Sequence, residues 1–419
     1  MRCGIVGRVG ISVARHRWSL GMRIAHIITR LILGGAQENT VLSCEDLQAC
    51  FGDDVLLVSG PPQGPEGSLL ERARANHVQV ELLSALQRNI HPLRDPQAYG
   101  QIKRALRRFG PDVVHTHSAK AGLLGRMAAF RLGVPAIVHT VHGAPFHPYQ
   151  GRGARWLFRT CERFAARRCD ALVSVADAMT DLMVAANVAP REQFTTIYSG
   201  MEVEPFLEAN GHRQRVRAEL GYQDDHVVVG KVARLFHLKG HEFLVRAAEQ
   251  AVKAHPQLRF LLVGDGILAD HIRDQVRRAG LEPYFQFTGL VPPDRIPELI
   301  GAMDMVVHTS LREGLARVLP QALIAGKPVI SYDVDGAREV VIDGETGILL
   351  PPKSVDALAA AISRLADDPQ QRTRLGAAGR ERFADVFGHD HMTRHLRALY
   401  EHVLSTKGAR ARRHATGGV

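Results

Sequence analysis

Three observations predict an α/β fold of two tandem domains, each a parallel sheet wrapped by helices. At 419 residues the chain is longer than one hydrophobic core ordinarily organises. Short apolar runs bounded by turn residues alternate with amphipathic stretches, the pattern of repeated βα units. The alternation lapses at Ser199-Gly200 through Pro205 and then restarts, which marks a linker between two units of similar size.

In the first unit, residues 22–203, strands are predicted at 24–28, 55–58, 78–82, 113–115, 136–140, 171–175 and 195–197. Helices fall between them at 36–50, 94–109, 119–132, 152–168 and 177–186, and SGPPQGPEG at 59–67 is a loop by composition. The second unit, residues 204–388, gives strands at 227–232, 260–263, 285–288, 305–308, 329–331 and 348–350. Helical patterns at 354–366 and 368–386 close it, and a last helix near 390–405 occupies the segment 389–405. Two such units facing one another make a cleft between opposing strand ends, a usual ligand position.

Hydrophobic residues make up 45% of the chain and charged residues 23%, as in soluble globular proteins. No apolar run approaches the roughly 20 residues of a membrane-spanning helix. The net charge of +10 is uneven. Arg2, Arg8, Arg15 and Arg17 lie in 1–21, and Lys407, Arg410, Arg412 and Arg413 in 406–419, with no acid in either segment. Setting those two groups of four aside leaves +2, which argues against a nucleic-acid partner. Residues 1–21 lack the apolar core of a signal peptide and read as a disordered basic extension or a stretch ahead of a start at Met22. Residues 406–419 read as a disordered basic tail. Cys3, Cys44, Cys50, Cys161 and Cys169 are odd in number and form no metal-type spacing, so reduced thiols in a cytoplasmic protein are expected.

The most informative segment is REGLARVLPQALIAGKPVI, residues 312–330. Glu313 and Gly314 lie on a loop, a helical pattern follows, and Gly326 leads into a buried strand. That order sets Glu313 at the mouth of a parallel sheet beside a helix N-terminus, where free N–H groups favour anions. In GKVARLFHLKG, residues 230–240, a buried strand runs out into Arg234, and Lys239 opens the next helix. A planar guanidinium and an ammonium point charge both suit phosphate oxygens. Gly34-Gly35-Ala36-Gln37 follows the first strand and opens a helix, and its glycines admit close approach of a ligand. His139-Thr140-Val141-His142-Gly143 and His115-Thr116-His117-Ser118-Ala119-Lys120 end two further strands. His115 and His117 have metal-like spacing, but no third ligand presents itself nearby, so no metal is expected.

Together these segments resemble the family 4 retaining glycosyltransferases over residues 22–405. The resemblance implies the GT-B architecture, two Rossmann-like domains facing across a cleft, with the C-terminal helix crossing back to the first domain. It implies transfer of a hexose or N-acetylhexosamine from a nucleotide-sugar, with uridine diphosphate the expected carrier, to a glycan or polyprenyl-linked acceptor. Configuration would be retained, and no metal or other cofactor would be needed. Glu313 would lie at the donor sugar's ring hydroxyls, with Gly314 and Leu315 beside it, and His142 at the sugar's far hydroxyl. Arg234 and Lys239 would meet the diphosphate, and Gly34 and Gly35 the phosphate and acceptor. Gly264 and Gly266 would line the nucleotide pocket, and His117 and Lys120 would border the acceptor. The family's second glutamate, eight positions after the first, binds the ribose; that position is Gln321 here. An amide in place of the carboxylate keeps one acceptor oxygen and loses ~1 kcal/mol of charge assistance.

Two other functions compete. A nucleotide-sugar-binding protein without turnover is suggested by Gln321. A nicotinamide oxidoreductase is suggested by Gly264-Asp265-Gly266 with Ala269, although the next strand ends QFTG without the acidic residue that reading needs. His389, His391 and His395 share a helix with Leu396, Leu399 and Tyr400 and read as a packing face. Arg152, Arg155, Arg159, Arg163 and Arg167 recur at helical spacing beside Trp156 and Phe164, and Lys103, Arg104, Arg107 and Arg108 form a second basic cluster. Such a face fits peripheral contact with an anionic membrane, on the inner face of the plasma membrane, or a solvated helix face.

Overall fold

The computed structural model describes residues 21–61 and 67–416, with side chains through residue 408. The predicted N-terminal extension, but for Gly21, and residues 62–66 of the predicted loop lie outside the described residues. The first sheet comprises β1 (Arg23–Arg30), β2 (Asp54–Gly60), β3 (Gln79–Leu82), β4 (Val113–His117), β5 (Ala136–Val141), β6 (Ala171–Ser174) and β7 (Phe194–Thr196), in the order β3-β2-β1-β4-β5-β6-β7. The second comprises β8 (Val227–Val232), β9 (Leu258–Val263), β10 (Phe285–Phe287), β11 (Met305–His308), β12 (Val329–Tyr332) and β13 (Gly347–Leu350), in the order β10-β9-β8-β11-β12-β13. All neighbours pair in parallel. Each predicted strand therefore has its counterpart. Both sheets reverse their winding beside the first strand of the domain, β1 next to β4 and β8 next to β11, and ligands collect outside such switch points.

Five helices of the first domain, Gly35–Phe51, Arg94–Phe109, Ala119–Leu132, Arg152–Ala166 and Asp177–Ala185, follow the predicted pattern closely, and a short helix, Leu70–Ala75, was not predicted. The linker is shorter than predicted, because a helix already begins at Glu204. The chain crosses between domains twice at one place. Met201 N–H donates to the Phe387 carbonyl at 2.8 Å and His389 N–H to the Met201 carbonyl at 3.1 Å. A Cβ on Gly200 would sit 2.5 Å from the His389 Cα, so only glycine lets the two crossings touch.

The last helix runs His389–Thr416 and crosses back onto the first domain. It is longer than the predicted segment 389–405 and includes residues 406–416, where a disordered tail was expected. That stretch is rich in Ala, Lys and Arg, good helix formers, and Lys407 is anchored to Asp170 at 2.7 Å. Further along the helix, Arg397 meets the buried Asp53 at 2.8 Å, and Tyr400 O–H lies 2.5 Å from His115 Nδ1. His389 is more than packing: with Thr393 it holds Asp46 of the first helix, both at 2.8 Å.

Parallel register sets His26 on β1 opposite His115 on β4, and alternation puts His117 on the same face of β4. His26, His115 and His117 therefore gather in the core with one ring nitrogen each within 4.8 Å of the others, which supplies the third imidazole that the sequence reading did not find. All of their nitrogens except His26 Nε2 are occupied by hydrogen bonds: His26 Nδ1 to His117 Nε2 at 3.0 Å, His117 Nδ1 to His142 at 3.1 Å, and His115 to Tyr400 and Thr140. A metal here would have to displace these bonds; the residues fit a hydrogen-bonded core better.

Burial holds His26 down to about 3 and His142 to about 4, and pushes His115, His117 and His139 well below the ordinary imidazole range. Groups kept neutral in the fold stabilise it fully above their unfolded value near 6.5, and that contribution is lost as pH falls toward their folded values. The loss is up to about 1.4 kcal/mol per pH unit for each ring. His389, raised by its hydrogen bond to Asp46, acts in the opposite sense but is one group against five. The melting temperature should fall steeply below about pH 6.5, before carboxylates titrate. A scanning-fluorimetry profile flat from pH 7.5 to 5 would contradict a neutral histidine core.

Candidate functional site

A cleft of about 670 Å³ lies between the domains, within the usual size range of small-molecule sites. From the first domain it is lined by Gly34, Gly35 and Glu38 at the start of the first helix, Arg30, Arg88, and His142 just beyond β5. From the second domain come Arg234 and Lys239 after β8, His308 at the end of β11, and the loop Glu313–Val318 with Gln321. Both switch points open into it. The predicted residues Glu313, Gly314, Leu315, Gln321, Arg234, Lys239, His142, Gly34 and Gly35 thus converge on one cavity.

Glu313 is the electrostatic centre. Its carboxylate is paired with Lys239 Nζ, His308 Nε2 lies 3.5 Å from it, and its backbone N–H donates to Asp335 at 2.5 Å. Burial alone would raise the carboxyl group, but Lys239 and His308 outweigh it and hold Glu313 well below the usual carboxylate range. It is a carboxylate at any physiological pH. Behind it stands Lys231, whose Nζ donates to Thr309 Oγ1 at 2.8 Å; burial, then Lys239, push this amine down to about 7. His308, which also lines the cleft, is lowered by burial against the opposing pull of Glu313.

Glycine makes the meeting of the domains possible. A Cβ on Gly314 would lie 2.3 Å from the His142 carbonyl oxygen, so the Glu313 loop rests on the backbone of the first domain. A Cβ on Gly35 would lie 2.8 Å from Arg317 Cδ. Arg317 crosses the cleft to Glu38 with two bonds, 2.6 and 3.0 Å, the fork geometry of a guanidinium on a carboxylate. Glu339 accepts from the Asp177 and Ala178 N–H groups at 2.9 Å each, placing a carboxylate of one domain on a helix N-terminus of the other.

Four predicted residues are not at the cleft surface. Gly264 and Gly266 pack against backbone, since added Cβ atoms would meet the Ala233 and Leu235 carbonyl oxygens at 2.4 Å each. That turn packs against the backbone of the Arg234 loop, and its glycines are required by that close approach. The cleft wall on that side is Leu290, Val291, Pro293 and Ile296. His117 is fully buried behind His142. Lys120 is tied to Asp95 at 2.6 Å and to the Asn89 carbonyl, next in sequence to the cleft-lining Arg88. Sequence reasoning also missed Lys231, His308, and the Glu38–Arg317 pair. Lys231 carried a readable signal, a lysine inside an otherwise apolar strand; the pair, 279 residues apart, carried none.

Two family models match the chain, one described as glycosyl transferase 4-like domain over residues 34–200 and one as glycosyl transferases group 1 over 212–382. The chain is 31% identical over 307 residues to the 2-deoxystreptamine glucosyltransferase of Streptomyces kanamyceticus, covering 71% of this chain and 79% of that protein. It is 27% identical over 350 residues to the Escherichia coli UDP-Gal:alpha-D-GlcNAc-diphosphoundecaprenol alpha-1,3-galactosyltransferase, covering 83% and 88%. The crystal structure of Anabaena HepE in complex with UDP and glucose shares the fold at TM-score 0.77 and 23% identity, over 91% of this chain and 99% of that one. The chain belongs to the family 4, group 1 glycosyltransferases, enzymes that transfer a sugar from a nucleotide-sugar donor.

Proposed function

We propose that the cleft binds a uridine-diphosphate sugar with its diphosphate at Arg234 and Lys239 and its sugar between Glu313 and His142. The observation that carries this reading is the convergence of those four side chains from opposing domains on one cavity. A leaving diphosphate needs positive charge where its own charge develops, and Arg234 and Lys239 supply it at the end of β8. We take this to be sufficient without a divalent ion. Glu313, kept ionised, accepts from sugar hydroxyls, and Gln321 offers its amide oxygen to the ribose.

No protein nucleophile stands out among the described residues, and the reading is transfer with retention by attack of the acceptor on the face the diphosphate leaves. The acceptor's proton goes to the departing phosphate oxygen. Arg234→Ala and Lys239→Ala should each lower turnover by about 2–4 kcal/mol of transition-state stabilisation and weaken donor binding less. Steady-state rates and donor affinities of the two variants check this, and near-native turnover in both would refute the diphosphate assignment.

The acceptor reading is a lipid-linked glycan met at an anionic membrane surface. No helix among the described residues is long and apolar enough to cross a membrane. The helix Arg152–Ala166 exposes Arg152, Arg155 and Arg159 with Leu157, Phe164 and Trp156, the last 67% exposed. Arg163 leaves the predicted stripe, because it is spent on the Asn187 and Ala186 carbonyls at 2.7 and 3.2 Å. Each basic residue near an anionic surface contributes about 1 kcal/mol, screened by salt, and an inserted Trp adds a salt-resistant part. Co-sedimentation with phosphatidylserine-containing vesicles should fall for the triple variant Arg155→Gln, Arg159→Gln, Trp156→Ser relative to the parent. Equal sedimentation at both low and high salt would leave this face merely solvated.

A further inference from the structure

The ring of His142 is held from behind. Its Nε2 lies 3.1 Å from His117 Nδ1, and His117 Nε2 lies 3.0 Å from His26 Nδ1. The series ends at His26 Nε2, which is buried and has no hydrogen-bond partner. His115, the neighbouring ring at 5.0 Å, cannot serve it, because both His115 nitrogens are occupied by Tyr400 and Thr140.

A neutral imidazole carries one N–H, so each of the two links needs one donor and one acceptor. Only two arrangements satisfy both links. In the first, all three rings carry hydrogen on Nδ1: His26 donates to His117, His117 donates to His142, and His26 Nε2 is a bare lone pair. In the second, all three carry hydrogen on Nε2, and His26 Nε2–H becomes a buried donor with no acceptor. Orphaned buried N–H groups are rarer in proteins than under-used acceptors, and stranding a donor costs its desolvation. The first arrangement is favoured. It leaves Nδ1–H as the only free polar group of the His142 ring, at the cleft.

We propose that His26 and His117 are positioning residues that lock His142 in its Nδ1–H tautomer, so that His142 meets the bound sugar as a hydrogen-bond donor. This rests on the reading that His142 touches the donor sugar. It makes the chain selective for a sugar with an accepting oxygen at that point. The register of β1 and β4 is what builds the device, since neither His26 nor His117 reaches the ligand itself.

Nitrogen NMR of protein labelled with 15N-histidine, assigned through His142→Ala and His117→Asn, reads the tautomers directly. Hydrogen on Nδ1 of both His142 and His117 is expected; hydrogen on Nε2 of either overturns the proposal. Calorimetry with UDP-glucose and with UDP then tests the consequence. His117→Leu removes the donor to His142 and should weaken UDP-glucose roughly tenfold while leaving UDP unchanged. His117→Asn places an amide N–H where Nδ1–H stood and should restore most of that loss. Equal losses for UDP and UDP-glucose in His117→Leu, or no rescue by Asn, would mean a structural role only and would overturn the proposal. Unchanged UDP-glucose affinity in His142→Ala would overturn the contact on which it rests, whatever tautomer the spectra show.

Discussion

The pairing of Lys239 with Glu313 is the interaction on which the site depends. A carboxylate buried at the meeting of two domains would be driven to protonate, and the loop bearing it would lose its reason to sit there. With Lys239 and His308 beside it the group stays charged, and Asp335 pins its backbone. The same ion pair brings the β8 loop and the β11 loop to one point. The cation proposed for the diphosphate and the carboxylate proposed for the sugar hydroxyls are thereby set side by side before a ligand arrives, which lowers the cost of organising them on binding.

Around that pair the two domains are fitted by close backbone contact and by charge. Gly314 rests on the His142 carbonyl, Arg317 spans to Glu38, and Glu339 sits on the Asp177 helix. Far from the cleft, the last helix ties the second domain to the first through Asp46, Asp53 and His115. The two crossings of the chain lie side by side at Gly200.

The thirteen strands were legible because fully buried parallel strands read as apolar runs closed by turn residues. Helix ends at Phe109 and Leu132 were legible from Gly110 and Gly133, both left-handed. The second-domain half of the site was legible too, since Arg234, Lys239 and Glu313 each sit just past a strand whose end is marked. What stayed hidden needed knowledge of strand order. His26 is 91 residues from His117 in sequence, and only β1 pairing with β4 brings them together. Gly264 and Gly266 are a related case: the turn packs on the backbone of the Arg234 loop, and composition does not tell such packing from a ligand-lining role. Lys120, expected to border the acceptor, is paired with Asp95, a partner that its place after a strand does not reveal.

The central claim is that Arg234 and Lys239 hold the diphosphate of the donor. Calorimetry of UDP and of uridine against the native chain and the Arg234→Ala, Lys239→Ala double variant tests it most directly. The account predicts that the double variant binds UDP at least about tenfold more weakly and uridine as before, since only the charged part of the ligand has lost its partners. Undiminished UDP binding, or an equal loss for uridine, would contradict it.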